Sequence, residues 1–278
     1  MFKNRAKSPH LDITTSNSIA VKLTGGTGNQ LFGFFTAYAI AQSLGCHVIV
    51  ELSNFSHLNP RAFSLHSLLN DKFRVGSSSG YFLIRETSFN FSTEILSTPK
   101  GCVLDGYFQS YKYFQLYRNE IIEFFKHSVN LKSLPAHQER IMLHARRGDY
   151  TKKRNLKVHG LCSLDYYINA VTYLRKHLGF LPVEVFSDDS NYAEQLTQVI
   201  NNSYVSHHET PWTDLEVIRY MSTAQGYVLS NSTFGWWAAW LNRQDESPTV
   251  CPDPWFSNRS INTADLLPRH WVKLSRKR

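Results

Sequence analysis

Residues 19–50 read IAVKLTGGTGNQLFGFFTAYAIAQSLGCHVIV, and this stretch decides the fold. A strand predicted over 19–24 leads into a glycine-rich turn at residues 25–30. The apolar helix predicted over 31–44 ends before Gly45, a residue type that commonly follows helix C-termini. A second apolar strand is predicted over 46–50. A strand, a helix and a strand in this order predict a parallel sheet with a right-handed crossover.

The second half of the chain repeats this alternation. Strands are predicted over 140–145, 183–187, 203–207, 226–230 and 248–251, and helices over 163–178, 191–201, 211–222 and 232–242. This pattern predicts a second doubly wound α/β domain. The aromatic-rich segment 108–125 is also predicted to be helical, and polar residues around Pro135 suggest a boundary. We therefore expect a disordered lead-in at 1–18, an N-terminal lobe at 19–135 and a C-terminal lobe at 136–278.

Composition excludes several classes of protein. The chain has 278 residues, of which 42% are hydrophobic and 19% charged, as in soluble globular proteins. A net charge of +8 attracts polyanions, but no nucleic-acid motif or basic stripe is present, so nucleic acid is not an expected partner. The four cysteines are far apart, which argues against a zinc site. Cys46 and Cys251 lie in apolar strand-like runs that suit buried free thiols, and a reducing compartment is expected.

The sequence also bears on location. No stretch approaches the ~20 apolar residues of a membrane helix, and residues 1–18 lack the apolar core of a signal peptide. We expect a cytoplasmic protein with a possible peripheral contact to the inner membrane face through its basic surface. The Golgi lumen is the alternative if an anchor has been removed. The basic tail 273–278 is interpreted as a solvated, frayed end, with a membrane contact as the sharper alternative.

Polar motifs follow several of the predicted strands, where ligands bind in open α/β sheets. The first is Gly25-Gly26-Thr27-Gly28-Asn29-Gln30. Glycines let a ligand approach the main chain, and the following helix presents free N–H groups to an anion. The motif is not a Walker loop, because no Gly-Lys-Ser/Thr follows, and Leu31 excludes the dinucleotide pattern. A tight turn without a ligand fits the residues equally well.

The second motif is the arginine pair within the segment HARRGDY at 144–150. Two arginines at the end of a strand are costly to bury without an anion or a carboxylate. Neighbouring side chains of an extended segment point in opposite directions. One of Arg146 and Arg147 can therefore face a ligand while the other is held internally, with Asp149 as its candidate partner. A purely structural arginine–aspartate clamp is the open alternative.

Two further motifs follow later strands. In Phe186-Ser187-Asp188-Asp189 we assign Asp188 to a ligand, because a carboxylate suits the N–H edge of guanine, and Asp189 to capping of the next helix. Residues 230–241 read SNSTFGWWAAWL, which places Ser232 and Thr233 at a helix N-terminus. They can bind an anion or simply cap the helix, and its tryptophans are interpreted as core. The metal-binding pattern Asp-x-Asp occurs nowhere in the sequence.

Taken in order, these motifs resemble the α-1,2-fucosyltransferases of glycosyltransferase family 11. The resemblance runs from Ile19 to Phe256 and also includes residues 106–110 and 210–214. Ala145 is a small departure, since the family usually has Val or Ile there. The resemblance implies an α/β, GT-B-like fold with two Rossmann-type doubly wound lobes facing across a cleft.

The resemblance also implies an activity. This is inverting, metal-independent transfer of L-fucose from GDP-fucose to a glycan hydroxyl, with the 2-OH of a galactose-containing oligosaccharide as the leading acceptor. It implies no cofactor and no metal. Two alternatives stay open: a fucosyltransferase of another linkage, either α-1,6 or protein O-fucosylation, and a non-catalytic glycan- or nucleotide-binding protein on the same fold.

Residue roles follow from the same resemblance. Arg146 would bind the β-phosphate, while His144 and Asp188 would flank guanine. The implied GDP-fucose-binding set is Gly26, Gly28, Asn29, Gln30, His144, Arg146, Arg147, Asp188, Ser232 and Thr233. Arg146 and Asp149 are the predicted catalytic residues. By residue type and rough location alone, the candidates for the general base are Asp149, His159, His208 and Glu209.

Overall fold

The computed structural model describes residues 15–55, 62–131, 139–207, 211–243 and 247–277. Its first lobe is built on a parallel sheet of five strands in the order β3-β2-β1-β5-β4. The strands are β1 Ser18–Lys22, β2 His47–Glu51, β3 Phe73–Val75, β4 Phe82–Arg85 and β5 Cys102–Asp105. The helices of this part of the chain are α1 Thr27–Leu44, α2 Thr93–Leu96 and α3 Arg118–Ser128.

The second lobe is built on a parallel sheet of six strands in the order β11-β10-β9-β6-β7-β8. The strands are β6 Ile141–Ala145, β7 Val183–Ser187, β8 Ser203–Val205, β9 Gly226–Leu229, β10 Thr249–Asp253 and β11 Val272–Ser275. The helices are α4 Lys153–Val158, α5 Leu164–Leu178, α6 Ser190–Val199, α7 Asp214–Met221 and α8 Thr233–Trp240. Alternate residues of the central strands face two separate apolar cores, so the sheet is doubly wound. The predicted two α/β lobes are confirmed.

Each sheet reverses its strand order at one point. In the first lobe the chain runs outward from β1 to β3 and later places β5 on the other side of β1. In the second lobe it runs from β6 to β8 and then places β9 on the other side of β6. Loops leave such a reversal in opposite directions and open a crevice beyond the strand ends. The crevices therefore lie after β1 and β5 and after β6 and β9.

Helix α1 starts four residues earlier than predicted. Gly26 occupies the N-cap position, and its carbonyl accepts hydrogen bonds from the Asn29 and Gln30 N–H groups. Gly28, Asn29 and Gln30 are consequently part of the first helical turn and not of a loop. The other end agrees with the prediction, because Gly45 adopts the left-handed conformation and caps the helix.

The two lobes are joined where the N-termini of α1 and α8 meet. A Cβ atom on Gly28 would lie 2.5 Å from the Thr233 carbonyl carbon, so only glycine allows this approach. Trp237 Nε1 donates to the Gly28 carbonyl at 2.8 Å, and Phe32 packs on Trp236 with ring centroids 4.5 Å apart. The interpretation of the tryptophans as core is confirmed, because Trp236 and Trp237 are fully buried. An apolar core therefore runs from one lobe into the other.

Three other predictions need correction. The segment 108–125 is not one helix, because 3₁₀ turns at 111–113 and 115–117 precede α3 and Ser110 caps the first of them. The tail is not frayed, since β11 pairs with β10 and Arg276 is buried. Ser18 already belongs to β1. The rest of the lead-in up to residue 14 and the boundary at 135/136 lie outside the described residues.

No helix in the described part of the chain is both long enough and apolar enough to span a membrane. The four cysteines are free and buried, which confirms the prediction made for Cys46 and Cys251. Burial raises the pKa of the Cys162 and Cys251 thiols to about 12. These thiols are therefore protonated at neutral pH and contribute to packing.

We predict that Gly28→Ala lowers the free energy of unfolding by about 1–3 kcal/mol, because the added methyl group meets main-chain atoms that cannot move alone. Gly33→Ala is the matched control on the same helix, since its methyl group would meet only side chains, Leu23 at 3.2 Å and Val21 at 3.6 Å, and alanine favours a helix. Urea unfolding of both variants measures the difference. Equal stability of the two variants would contradict the close helix contact.

Candidate functional site

A cleft of about 980 Å³ lies between the lobes, where the two reversal points face each other. The first lobe contributes the segment 25–29, together with Tyr107 and Gln109 from the loop after β5. The second lobe contributes His144, Arg146 and the segment 231–234 beyond β6 and β9. The sequence motifs thus meet at the place where the topology predicts a ligand.

The strand order divides the cleft into two arms on either side of β6. One arm lies over β7 and β8, where residues 185–188 and 205–207 and the helices α6 and α7 form the wall. The other arm lies toward β9 and β10 and is rich in aromatic rings. Its aromatic lining comprises Phe89, Tyr107, Tyr150, His159, Trp255 and Phe256. Arg146 follows β6 and therefore stands between the two arms.

Two helix N-termini converge at the centre of the cleft. Helices α1 and α8 begin at Thr27 and Thr233, and both residues line the cleft. The Asn29 Oδ1 atom accepts hydrogen bonds from Gln109 Nε2 and from Thr233 Oγ1, each at 2.9 Å. Each helix N-terminus carries a partial positive charge of about half a unit. Their convergence makes this point of the cleft attractive to an anion.

Ser232 and Thr233 have different contacts. Ser232 is the N-cap of α8, and its hydroxyl accepts a hydrogen bond from the Phe234 N–H at 3.3 Å. Thr233 donates to Asn29 across the lobe boundary. Helix capping and anion binding by this motif are therefore compatible, because the same turn caps α8 and presents its N-terminus to the cleft.

The structure does not support Gln30 as a ligand contact. The side chain is fully buried, and its Nε2 donates to the carbonyls of Gly25 and Ala62 at 3.0 and 2.9 Å. Its Oε1 accepts a hydrogen bond from the Ser64 N–H at 3.0 Å. Gln30 therefore braces the glycine-rich turn from inside the lobe.

Arg146 is held by two carboxylates. Its Nη1 lies 2.9 Å from Asp188 Oδ2 and its Nη2 lies 2.5 Å from Asp149 Oδ1. The guanidinium carbon lies 5.5 Å from the centre of the Tyr150 ring. A guanidinium has five N–H donors, and the ion pairs with Asp188 and Asp149 use two of them. The carboxylates therefore orient Arg146 and leave donors for an anion in the cleft.

Arg147 is the arginine that is held internally, but Asp149 is not its partner. Its Nε lies 3.2 Å from Asp189 Oδ2, and its guanidinium stacks over the Tyr192 ring at 4.1 Å. The expected pairing with Asp149 is wrong because the chain turns into a 3₁₀ helix at Gly148, which brings Asp149 back toward Arg146. A direct contact between Arg147 and a ligand stays a prediction.

Asp188 and Asp189, which follow β7, have different contacts. Asp189 caps α6 by accepting a hydrogen bond from the Tyr192 N–H at 3.1 Å, which confirms its structural role. Asp188 accepts from the Arg147 main-chain N–H at 2.8 Å and pairs with Arg146. Asp188 also lines the cleft, so a contact with guanine stays a prediction beside its positioning of Arg146.

His144 is a neutral group behind the centre of the cleft. Its Nδ1 lies 3.1 Å from the Ser230 hydroxyl, and its ring stacks on Phe234. Burial, with a smaller effect from the nearby Arg146 charge, lowers the pKa of His144 to about 4. The imidazole is therefore uncharged at neutral pH and adds hydrogen-bonding capacity without adding positive charge.

Two side chains outside the predicted binding set also belong to the site. Asp214, at the start of α7, accepts a hydrogen bond from Thr27, the first residue of α1. Gln109 binds Asn29, as described above. Both lie in segments that resemble the family, at 106–110 and 210–214, and that resemblance was the available signal. Each of these two side chains forms a hydrogen bond to a distant segment of the chain, and no local sequence pattern predicts such a contact.

The candidate bases differ in what the structure says of them. Asp149 is the ion-pair partner of Arg146, and His159 lines the aromatic arm with its ring stacked on Tyr150 at 4.3 Å. His208 and Glu209 lie outside the described residues. Across the described ranges, no three His, Cys, Asp or Glu side chains form a cluster that could hold a metal ion.

The chain is similar to known proteins over most of its length. Residues 6–274 match the family model described as glycosyl transferase family 11. An alpha-1,2-colitosyltransferase of Escherichia coli is 28% identical over 93% of this chain and 99% of its own length. A galactoside 2-alpha-L-fucosyltransferase of Caenorhabditis elegans is 24% identical over 98% of this chain and 80% of its own length.

Among solved structures, the fucosyltransferase NodZ from Bradyrhizobium superposes with a TM-score of 0.48 at 12% identity, covering 81% of this chain and 93% of that chain. The family match itself extends over both lobes and all four motifs of the cleft. The chain belongs to glycosyl transferase family 11.

Proposed function

We propose that this protein transfers L-fucose from GDP-fucose to the 2-hydroxyl of a galactose residue, with inversion at the anomeric carbon and without a metal ion. The observation that carries the proposal is the position of Arg146. It stands beyond β6 at the reversal of the strand order, in the same cleft as the N-termini of α1 and α8. That combination suits the diphosphate of a nucleotide sugar.

The chemistry explains why these groups are needed together. When the bond between the sugar and GDP breaks, negative charge grows on the β-phosphate oxygen. A fixed arginine and two helix N-termini stabilise that charge without reorganising, which is how a preorganised site lowers a barrier. Two arginines face three aspartates here, so the side chains alone supply no excess positive charge. The helix N-termini therefore supply an essential part of the attraction.

The two arms suit the two substrates. The arm over β7 and β8 has Phe186, Ala193 and Val217 beside polar groups, a composition that accommodates a nucleoside base. The arm over β9 and β10 is lined by aromatic rings from both lobes, and such rings pack on the apolar faces of sugars. We assign GDP to the first arm and the acceptor glycan to the second.

Linkage and donor rest on the two relatives. Both of their names specify transfer to a 2-position, which supports the α-1,2 linkage proposed for this chain. Their names differ in the sugar, since one is a colitosyltransferase and the other a fucosyltransferase. GDP-colitose is therefore the second candidate donor. Colitose is fucose without its 3-hydroxyl, so a site that hydrogen-bonds this hydroxyl would discriminate strongly against colitose.

We expect transfer from GDP-fucose to a galactose-terminated oligosaccharide to proceed in excess EDTA, because Arg146 and the helix N-termini replace a metal ion. NMR of the product should show an α-fucosyl unit on O2 of galactose, which is the inverted anomer. GDP-colitose in a parallel reaction tests the second donor. A different linkage, or activity that EDTA removes and manganese restores, would contradict the proposal.

Arg146→Lys should lower kcat by about 10²–10³-fold, and Arg146→Ala by at least as much, because an ammonium group cannot reproduce the bidentate fork. Arg74→Lys is the matched control, since Arg74 pairs with exposed Asp71 outside the described cleft lining. Initial rates with GDP-fucose measure the effect, and thermal melting verifies folding. Near-normal turnover by a folded Arg146→Lys variant would remove Arg146 from the reaction.

A further inference from the structure

The main chain at His159 is fixed more firmly than a surface loop requires. Its carbonyl oxygen accepts three hydrogen bonds, from Asn231 Nδ2 at 2.8 Å, Arg276 Nη1 at 2.5 Å and the Ser257 N–H at 3.3 Å. Asn231 and Arg276 are each only 1% exposed. Three separate segments of the second lobe therefore converge on one peptide group at the wall of the cleft.

The burial of the Arg276 guanidinium carries an energetic cost. This group is buried and forms no ion pair with a carboxylate in the described structure; it binds the carbonyls of His159 and Trp255 and the Ser257 hydroxyl instead. A Cβ on Gly160 would lie 2.8 Å from one of its nitrogens, so a glycine at 160 is needed for the approach. Burying a guanidinium without an ionic partner is energetically unfavourable unless its hydrogen bonds compensate. The result is a rigid placement of His159.

The imidazole of His159 faces the aromatic arm of the cleft. Its ring stacks on Tyr150 at 4.3 Å with the planes 11° apart, and the Tyr150 ring in turn lies 5.5 Å from the Arg146 guanidinium. On the other side it contacts Phe256, with ring centroids 5.6 Å apart. His159 is therefore separated from Arg146 by one aromatic ring and lies on the acceptor side of β6.

We propose that His159 is the general base that takes the proton of the acceptor hydroxyl. This proposal rests on the proposed function. Inversion requires the acceptor oxygen to approach the anomeric carbon from the side opposite the leaving diphosphate. Arg146 marks the leaving side, and the aromatic arm provides the other. Nδ1 of His159 is buried and has no hydrogen-bond partner in the described structure, so we assign the accepted proton to Nε2, with the proton of the neutral imidazole on Nδ1.

The step balances without a further reactant. The acceptor oxygen forms a bond to the anomeric carbon while the bond from that carbon to the β-phosphate oxygen breaks, and its electron pair stays on GDP. The acceptor proton passes to the imidazole, which becomes an imidazolium ion and releases the proton to solvent after product leaves. Asp149 lies close enough to stabilise that imidazolium through its negative charge.

The ionisation of His159 suits this role. Burial, as the largest effect, lowers the pKa of His159 below its ordinary value of 6.5; the Asp149 charge opposes this change, and the Arg146 charge adds to it. The imidazole is therefore neutral and able to accept a proton at neutral pH. Activity should be retained as the pH falls below 6.5 and be lost only when the pH passes the lowered pKa.

The test compares His159→Gln with His177→Gln, an exposed histidine of α5, by steady-state kinetics, GDP titration and thermal melting. We expect His159→Gln to lower kcat by about 10²–10⁴-fold, with the dissociation constant of GDP within threefold of the wild type. The acidic limb of the kcat/KM profile should also disappear. His177→Gln should retain wild-type rates and the acidic limb.

Two outcomes would overturn this role for His159. One is a kcat for His159→Gln within threefold of the wild type, and the other is an unchanged acidic limb in a variant that has lost activity, which would indicate a structural effect. If the acidic limb is unchanged, the group that titrates there is not His159, and another group must accept the acceptor proton. Failure of the wild-type enzyme to transfer fucose would instead contradict the proposed function itself.

Discussion

The contact between Gly28 and Thr233 is the constraint on which the site depends. Because residue 28 has no side chain, α1 and α8 approach end to end, and each helix comes from a different lobe. Trp237 stabilises the contact by donating a hydrogen bond to the Gly28 carbonyl. The two positive helix ends and the two reversal points of the sheets are thereby held in one place.

Charge in the cleft is arranged around Arg146. The two carboxylates that hold it fix the plane of the guanidinium, and neutral His144 behind it adds no charge of its own. The orientation of Arg146 is thus set before an anion arrives, which is the condition for efficient electrostatic stabilisation. On the far side of Tyr150, buried Arg276 sets the main chain of His159 in the same manner, by binding its carbonyl. Arg146 lines the cleft itself, whereas Arg276 supports the cleft wall at His159.

Local patterns predicted the fold well, whereas contacts between distant residues escaped them. The glycine turn and the alternating segments predicted seven of the described strands and both lobes, because hydrophobic periodicity and helix caps are local properties. The short strands β3, β4, β5 and β11 were not predicted. Gln30 was misassigned because its burial is decided by residues 62–64, which lie some thirty positions away. Arg147 does not pair with Asp149 as expected, because the 3₁₀ helix that begins at Gly148 places Asp149 elsewhere. Arg276 follows a paired strand and does not belong to a frayed tail, and the alternation of Val272 and Leu274 before it is a local pattern typical of a strand.

We propose that the β-phosphate of GDP lies between Arg146 and the N-termini of α1 and α8. A crystal structure of the GDP complex tests it most directly. We expect a guanidinium nitrogen of Arg146 within about 3.2 Å of a β-phosphate oxygen, with the α8 N-terminus on the same phosphate. A diphosphate bound elsewhere, with Arg146 still turned only toward Asp149 and Asp188, would contradict it.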